Sequence, residues 1–256
     1  MKTLGSLLLV LSTLSLAAPV DTLTQKGPNG SISILALPKT PGKHPALILA
    51  PEWWGLNDYA IGRAKQFAEE GYVVLGLDLY GAREQTHDFK KASELAGTFY
   101  ADRSKFRNAV RWAFDSLSHR PDVDTSRIGA LGFCFGGTAV LEGARAGLPL
   151  KVVSSFHGGV KPGEPTAVGA IKGTILVLQG GADPFVTLAD LSDFVKDAEA
   201  AKADYSVLIL PHAVHAFTNP ANGTDPSKGM AYNADAERES FAAFHRLLVA
   251  KGFANR

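Results

Sequence analysis

A thiol, a carboxylate and an imidazole follow one another along this chain at positions that could share one nucleophilic reaction. The thiol is Cys134, the only cysteine among 256 residues. It lies in Gly132-Phe133-Cys134-Phe135-Gly136-Gly137, directly after the apolar run Arg127–Phe133 and before a stretch of small residues. G-x-C-x-G is the thiol form of the G-x-S-x-G elbow, a tight strand-to-helix turn that lifts a nucleophile above a sheet. The flanking glycines are required because residues two before and two after the nucleophile come too close for side chains. The turn also puts Cys134 at a helix N-terminus, where backbone N–H groups favour a thiolate. The N–H of Phe135 then points where a substrate oxyanion would form.

The elbow needs an acid and then a histidine further along the chain. Asp183 follows the apolar run Thr174–Leu178, and His215 follows the run Tyr205–Leu210. Both would stand in loops at carboxyl ends of strands, the rim on which parallel sheets carry their sites. His215 would exchange a proton with Cys134 and the leaving group, and Asp183 would fix the imidazole tautomer. Asp190 and Asp193 compete for the acid's place but fall in the next helical segment. His212 is the rival of His215, and the two could also be metal ligands at i, i+3. No third ligand has a recognisable spacing, so no metal is assigned. His157, at another strand end, would either line the pocket or support it.

The elements that must position these groups alternate in type. Strands are expected at Ser31–Leu37, Ala46–Ala50, Tyr72–Leu77, Arg127–Phe133, Lys151–Phe156, Thr174–Leu178 and Tyr205–Leu210. Helices are expected at Asn57–Glu70, Phe89–Phe99, Arg103–Ser118, Gly136–Gly147, Leu188–Ala203 and Ala234–Ala250. Short apolar strands between helices imply one α/β domain, a mostly parallel sheet with helices on both faces.

Lys plus Arg is 26 and Asp plus Glu is 25, a net charge of +1. That balance argues against nucleic acid or an anionic membrane as a partner through bulk charge. The N-terminus has one Lys, a mostly apolar run Leu4–Leu16 and then Ala17-Ala18. It reads as a secretory signal peptide over residues 1–18, ahead of a domain over 19–256. The expected destination is the periplasm or the exterior, with no stable membrane anchor after cleavage. A lone exported thiol is either buried and inert or kept for its chemistry.

With these residues in view, the chain resembles the dienelactone hydrolase family, a cysteine branch of the α/β-hydrolases. The Gly132–Gly137 elbow carries the resemblance, together with Pro51-Glu52-Trp53-Trp54-Gly55, Asp183 and His215-Ala216-Phe217. It implies a hydrolase of a small ester or lactone, without cofactor, acting through a Cys134–His215–Asp183 triad. It further implies that Glu52 meets the resting thiol and that the Trp53 N–H is the second oxyanion donor. Trp53, Trp54, Tyr80 and Phe135 would supply apolar walls. Family lactonases hold the substrate carboxylate with arginines; Arg83 could be one, but Asn219 stands where the other is expected. An Asn cannot replace an Arg fork, so a general carboxylesterase or thioesterase is the alternative. A non-catalytic binding protein on the same scaffold is a further one.

Overall fold

The computed structural model describes residues 20–253. The expected signal segment, residues 1–18, lies outside them. Eight strands form one sheet: β1 (Asp21–Lys26), β2 (Ile32–Leu37), β3 (His44–Ala50), β4 (Val73–Gly76), β5 (Val123–Phe133), β6 (Val152–Phe156), β7 (Thr174–Gly180) and β8 (Asp204–Leu210). Their order is β1-β2-β4-β3-β5-β6-β7-β8. β1 and β2 pair antiparallel, as do β2 and β4, and every other pair is parallel.

Alternation along each strand divides the core in two. On β3, Ala46, Ile48 and Ala50 face one side, while Leu47 and Leu49 face the other. The first side is covered by α2 (Phe89–Ala101), α3 (Ser104–Ser118), α4 (Phe135–Arg145) and α5 (Leu188–Ala200). The second is covered by α1 (Asp58–Glu69) and α6 (Ala234–Ala250) through Phe67, Phe241 and Phe244. Four of the six helix starts among the described residues carry side chains that cap them. Asn57, Asp88 and Asn233 each accept a backbone N–H of the first turn, and Thr187 with Asp190 makes a capping box.

Two differences from the sequence reading have simple causes. β1 is an additional strand, mostly exposed, with Leu23 as its one large apolar residue, so it has no buried face to announce it. β5 begins at Val123, because its polar first half pairs with β3 only at His44 before the register shifts. The central place of β5, between β3 and β6, puts the end of its strand among the loops that follow its neighbours.

Candidate active site

Cys134 caps α4 with φ 51 and ψ −115, a conformation side chains rarely adopt. Its backbone is held from three directions. Its N–H donates to Phe156 O at 2.9 Å and lies 3.2 Å from His157 Nδ1, and its carbonyl accepts from Gly137 N at 2.9 Å. The two elbow glycines are sterically obligatory. A Cβ on Gly132 would strike the Gly136 carbonyl oxygen, and one on Gly136 would strike that of Ala50. The second contact is also why the loop after β3 arrives beside the thiol.

His215 Nε2 lies 3.0 Å from Cys134 Sγ, and its Nδ1 lies 2.8 Å from Asp183 Oδ2. The Asp183 carboxylate is fully engaged. Oδ2 also accepts from Gln179 Nε2 at 2.7 Å, and Oδ1 accepts from the N–H groups of Phe185 and Val186 at 2.8 and 3.0 Å. An acceptor at Nδ1 leaves Nε2 to face the sulfur. Burial pulls the His215 pKa down, but the Cys134 charge and the hydrogen bonds to Asp183 and Cys134 outweigh it, and the net direction is upward. The loop is clamped at both faces of His215, whose N–H donates to Gly229 O while its carbonyl accepts from Ala231 N.

His157 supports rather than lines the pocket: it is fully buried, edge-on to the His215 ring at 5.4 Å. Burial and the His215 charge hold its pKa well below the ordinary imidazole value. Its Nδ1 faces the Cys134 N–H, so Nε2 carries the proton and donates to Thr218 Oγ1 at 2.8 Å. Tyr59 Oη donates to that same hydroxyl at 2.7 Å. The turn at Cys134, the loop of His215 and α1 are thereby joined through His157, Thr218 and Tyr59.

The model of the dienelactone hydrolase family matches residues 33–251. This chain belongs to that family. A Bradyrhizobium protein described as a probable 2-oxo-3-(5-oxofuran-2-ylidene)propanoate lactonase is 31% identical over 75% of this chain and 81% of its own. The crystal structure of a dienelactone hydrolase-like promiscuous phosphotriesterase from metagenomic libraries is 34% identical, with a TM-score of 0.85 over 91% of this chain and 99% of that one. The dienelactone hydrolase of Anabaena variabilis, 21% identical, shares the fold with a TM-score of 0.62 over 88% of this chain and 97% of that one. The protein is thus a hydrolase of the dienelactone hydrolase kind, a family acting on lactones and esters.

The loop after β3 differs from what the resemblance implied at Glu52. Glu52 makes no hydrogen bond to the thiol among the described residues; its Oε2 accepts from Asn219 Nδ2 at 2.7 Å, and the sulfur faces His215 instead. Asn219 is also held by Ala221 N on its Oδ1, so it supports Glu52 and is not a free substrate contact. Tyr80 donates to Trp53 O at 2.8 Å, which ties down the loop after β3. The N–H groups of Trp53 and Phe135 have no partner among the described residues. The Phe135 side chain is core, not wall, packed on Phe106 at 4.9 Å. Trp54 is buried under Phe89 and Trp53. Among the described residues Arg83 has no hydrogen bond or ion pair to Cys134, His215 or Asp183; its backbone N–H donates to Asp78 Oδ2, and its side-chain Nε is buried without a partner.

Gln179, Thr218, Tyr59 and Asp78 went unread in the sequence. Gln179 had a signal, since it is a polar residue closing an otherwise apolar buried strand. Asp78 accepts from Ile32, Gly81 and Arg83 N–H groups and so shapes the loop bearing Tyr80.

Burial pushes Glu52 up to about 7, against the Asn219 hydrogen bond and the His215 charge, which pull it down. The folded pKa therefore exceeds the unfolded value, and the folded chain binds more protons between the two. Stability contributed by this group is lost as pH rises through that window. A Glu52→Gln variant should gain in Tm relative to wild type between about pH 5 and pH 8. A pH-independent difference would show that the carboxylate ionises there without penalty.

Proposed function

We propose that the protein hydrolyses small esters or lactones through a cysteine acyl-enzyme. The observation that carries this reading is the chain of two hydrogen bonds from Asp183 through His215 to Cys134 Sγ, 2.8 and 3.0 Å. Sγ gives its proton to His215 Nε2 and attacks the substrate carbonyl carbon. The oxyanion is met by the Phe135 and Trp53 N–H groups. Collapse breaks the C–O bond, and the His215 Nε2 proton goes to the departing alcohol oxygen. In a lactone that alcohol stays tethered to the acyl group. Water, deprotonated by His215, then attacks the thioester, releases the carboxylic acid and restores the thiol.

The lactone named for the Bradyrhizobium relative supports the substrate class. Asn219, uncharged and bound to Glu52, supports instead a carboxylesterase or thioesterase that does not use the family's arginine position. The Lys2–Ala18 pattern supports export before the enzyme acts. The test is intact-protein mass spectrometry after brief mixing with p-nitrophenyl acetate, with peptide mapping. A single acetyl group on Cys134, formed and lost as nitrophenolate is released, is the expected result. Turnover with acetyl only on other residues would overturn the thiol mechanism.

A further inference from the structure

The carboxylate beside His215 is shared between two donors. Asp183 Oδ2, 2.8 Å from His215 Nδ1, also accepts from Gln179 Nε2 at 2.7 Å. Gln179 stands in β7, one residue before its end, and is fully buried. Its amide has one orientation. The end that meets Asp183 Oδ2 also lies 3.4 Å from Val186 O, and two acceptors require the NH₂ group there. Oε1 is then left buried with no partner among the described residues. A buried acceptor without a donor costs stability. An apolar side chain at this position would avoid that cost. The short contact that the amide makes is with the very oxygen that faces His215.

The place of Asp183 does not depend on Gln179. Its Oδ1 accepts from the Phe185 and Val186 N–H groups at 2.8 and 3.0 Å, and those bonds hold the carboxylate without the amide. What the amide changes is the charge that Oδ2 offers. Two donors on one oxygen divide its charge between them. With Gln179 present, a protonated His215 meets a partly satisfied anion. Without it, the imidazolium would meet a fuller charge and hold its proton more tightly. A group that holds its proton too tightly is slow to give it to a departing oxygen. Among the described residues, the other titratable groups that face His215 are Cys134 at Nε2, His157 with its ring 5.4 Å away, and Glu52, which feels the His215 charge. The Gln179 side chain bonds to none of them; its partners are Asp183 and Val186.

We infer that Gln179 is a positioning residue for the reaction: through Asp183 Oδ2 it limits how tightly His215 holds the proton that it takes from Cys134 and passes to the leaving group. This rests on the Cys134 hydrolase reading. Gln179 acts on proton transfer and leaves substrate binding alone, since its side chain is buried behind Asp183.

The test follows the titration of His215 by NMR in the full chain carrying Cys134→Ala, so that the imidazole titrates without the thiol. Gln179→Met is close in size and has no donor; it should raise the His215 midpoint by about half a pH unit or more. Gln179→Glu sets a second carboxylate against Asp183. The pair shares a proton at low pH, and its loss should raise His215 further. Glu has the shape of Gln, so this arm stands even where the Met variant unfolds. With Cys134 restored, p-nitrophenyl acetate hydrolysis by Gln179→Met should show KM nearly unchanged, kcat lower by about three- to tenfold, and one limb of the kcat/KM profile displaced to higher pH. Variants that are slower or less stable with the His215 midpoint unmoved would reduce Gln179 to packing and overturn the inference, while the hydrolase stands. A moved midpoint in a chain that turns over no ester and forms no acyl-enzyme would overturn the hydrolase reading, while the coupling of Gln179 to His215 stands.

Discussion

Replacing Cys134 with alanine is expected to abolish ester turnover while leaving the melting temperature nearly unchanged. The chemical loss should reach at least about 10⁴ in kcat, because in the proposed mechanism nucleophile, base and orienting carboxylate act as one unit. What remains would come from the oxyanion donors and binding alone. Unchanged stability follows from the backbone. Alanine has the same Cβ as cysteine, so the φ of 51 is no more strained than before. The groups that hold the turn, Phe156 O, His157 Nδ1 and Gly137 N, all bond to the main chain. Cys134 as a residue is only partly buried. Steady-state hydrolysis of p-nitrophenyl acetate and a thermal melt on the same preparation check both halves. Activity above roughly one per cent of wild type would assign the chemistry to another nucleophile.

The same elbow shows how much of this site was legible in the sequence. Gly132, Cys134 and Gly136 are read from spacing because a strand-turn-helix this tight allows few residue types, and the Cβ contacts at both glycines agree. Asp183 and His215 are read from chain order and from strands that end just before them. The strands themselves are legible where both faces are buried, as in β3 and β7, and illegible where neither is, as in β1. The supporting residues are another matter. Gln179 reaches Asp183 within one turn, yet Thr218 meets His157 and Tyr59 across the whole fold. Such contacts depend on which loops the sheet order brings together, and no local pattern encodes that. Glu52 shows the limit of analogy. Its loop was recognisable, but its partner was decided by a single amide, Asn219, contributed by the histidine loop.

Glu142 lies at the far end of this scale. In the sequence it is one charged residue in a helix of small residues, yet it is fully buried and bonded to three arginines from α3, its leading turn and α4 itself. Truncating it to alanine removes the anion and leaves three guanidinium groups, of which only Arg145 keeps a carboxylate nearby, Asp197 at 3.8 Å. Breaking one side of a buried ion cluster costs about 3 to 5 kcal/mol, since the remaining charges stay desolvated. For a chain of this size that corresponds to a fall in Tm of roughly 10 °C. The loss should be smaller when Arg107 is also replaced by alanine, because one of the stranded charges is then gone. A thermal or urea unfolding series over the two single variants and the double variant measures that coupling. Simple additivity would mean that Glu142 acts by packing volume rather than charge. The cluster also ties α3 to α4, the helix that begins at Cys134, and Arg103 fixes the carbonyl of Lys161. Loss of Glu142 should therefore loosen the seat of α4 on α3 before the sheet itself gives way, so that turnover falls with temperature ahead of the global melt.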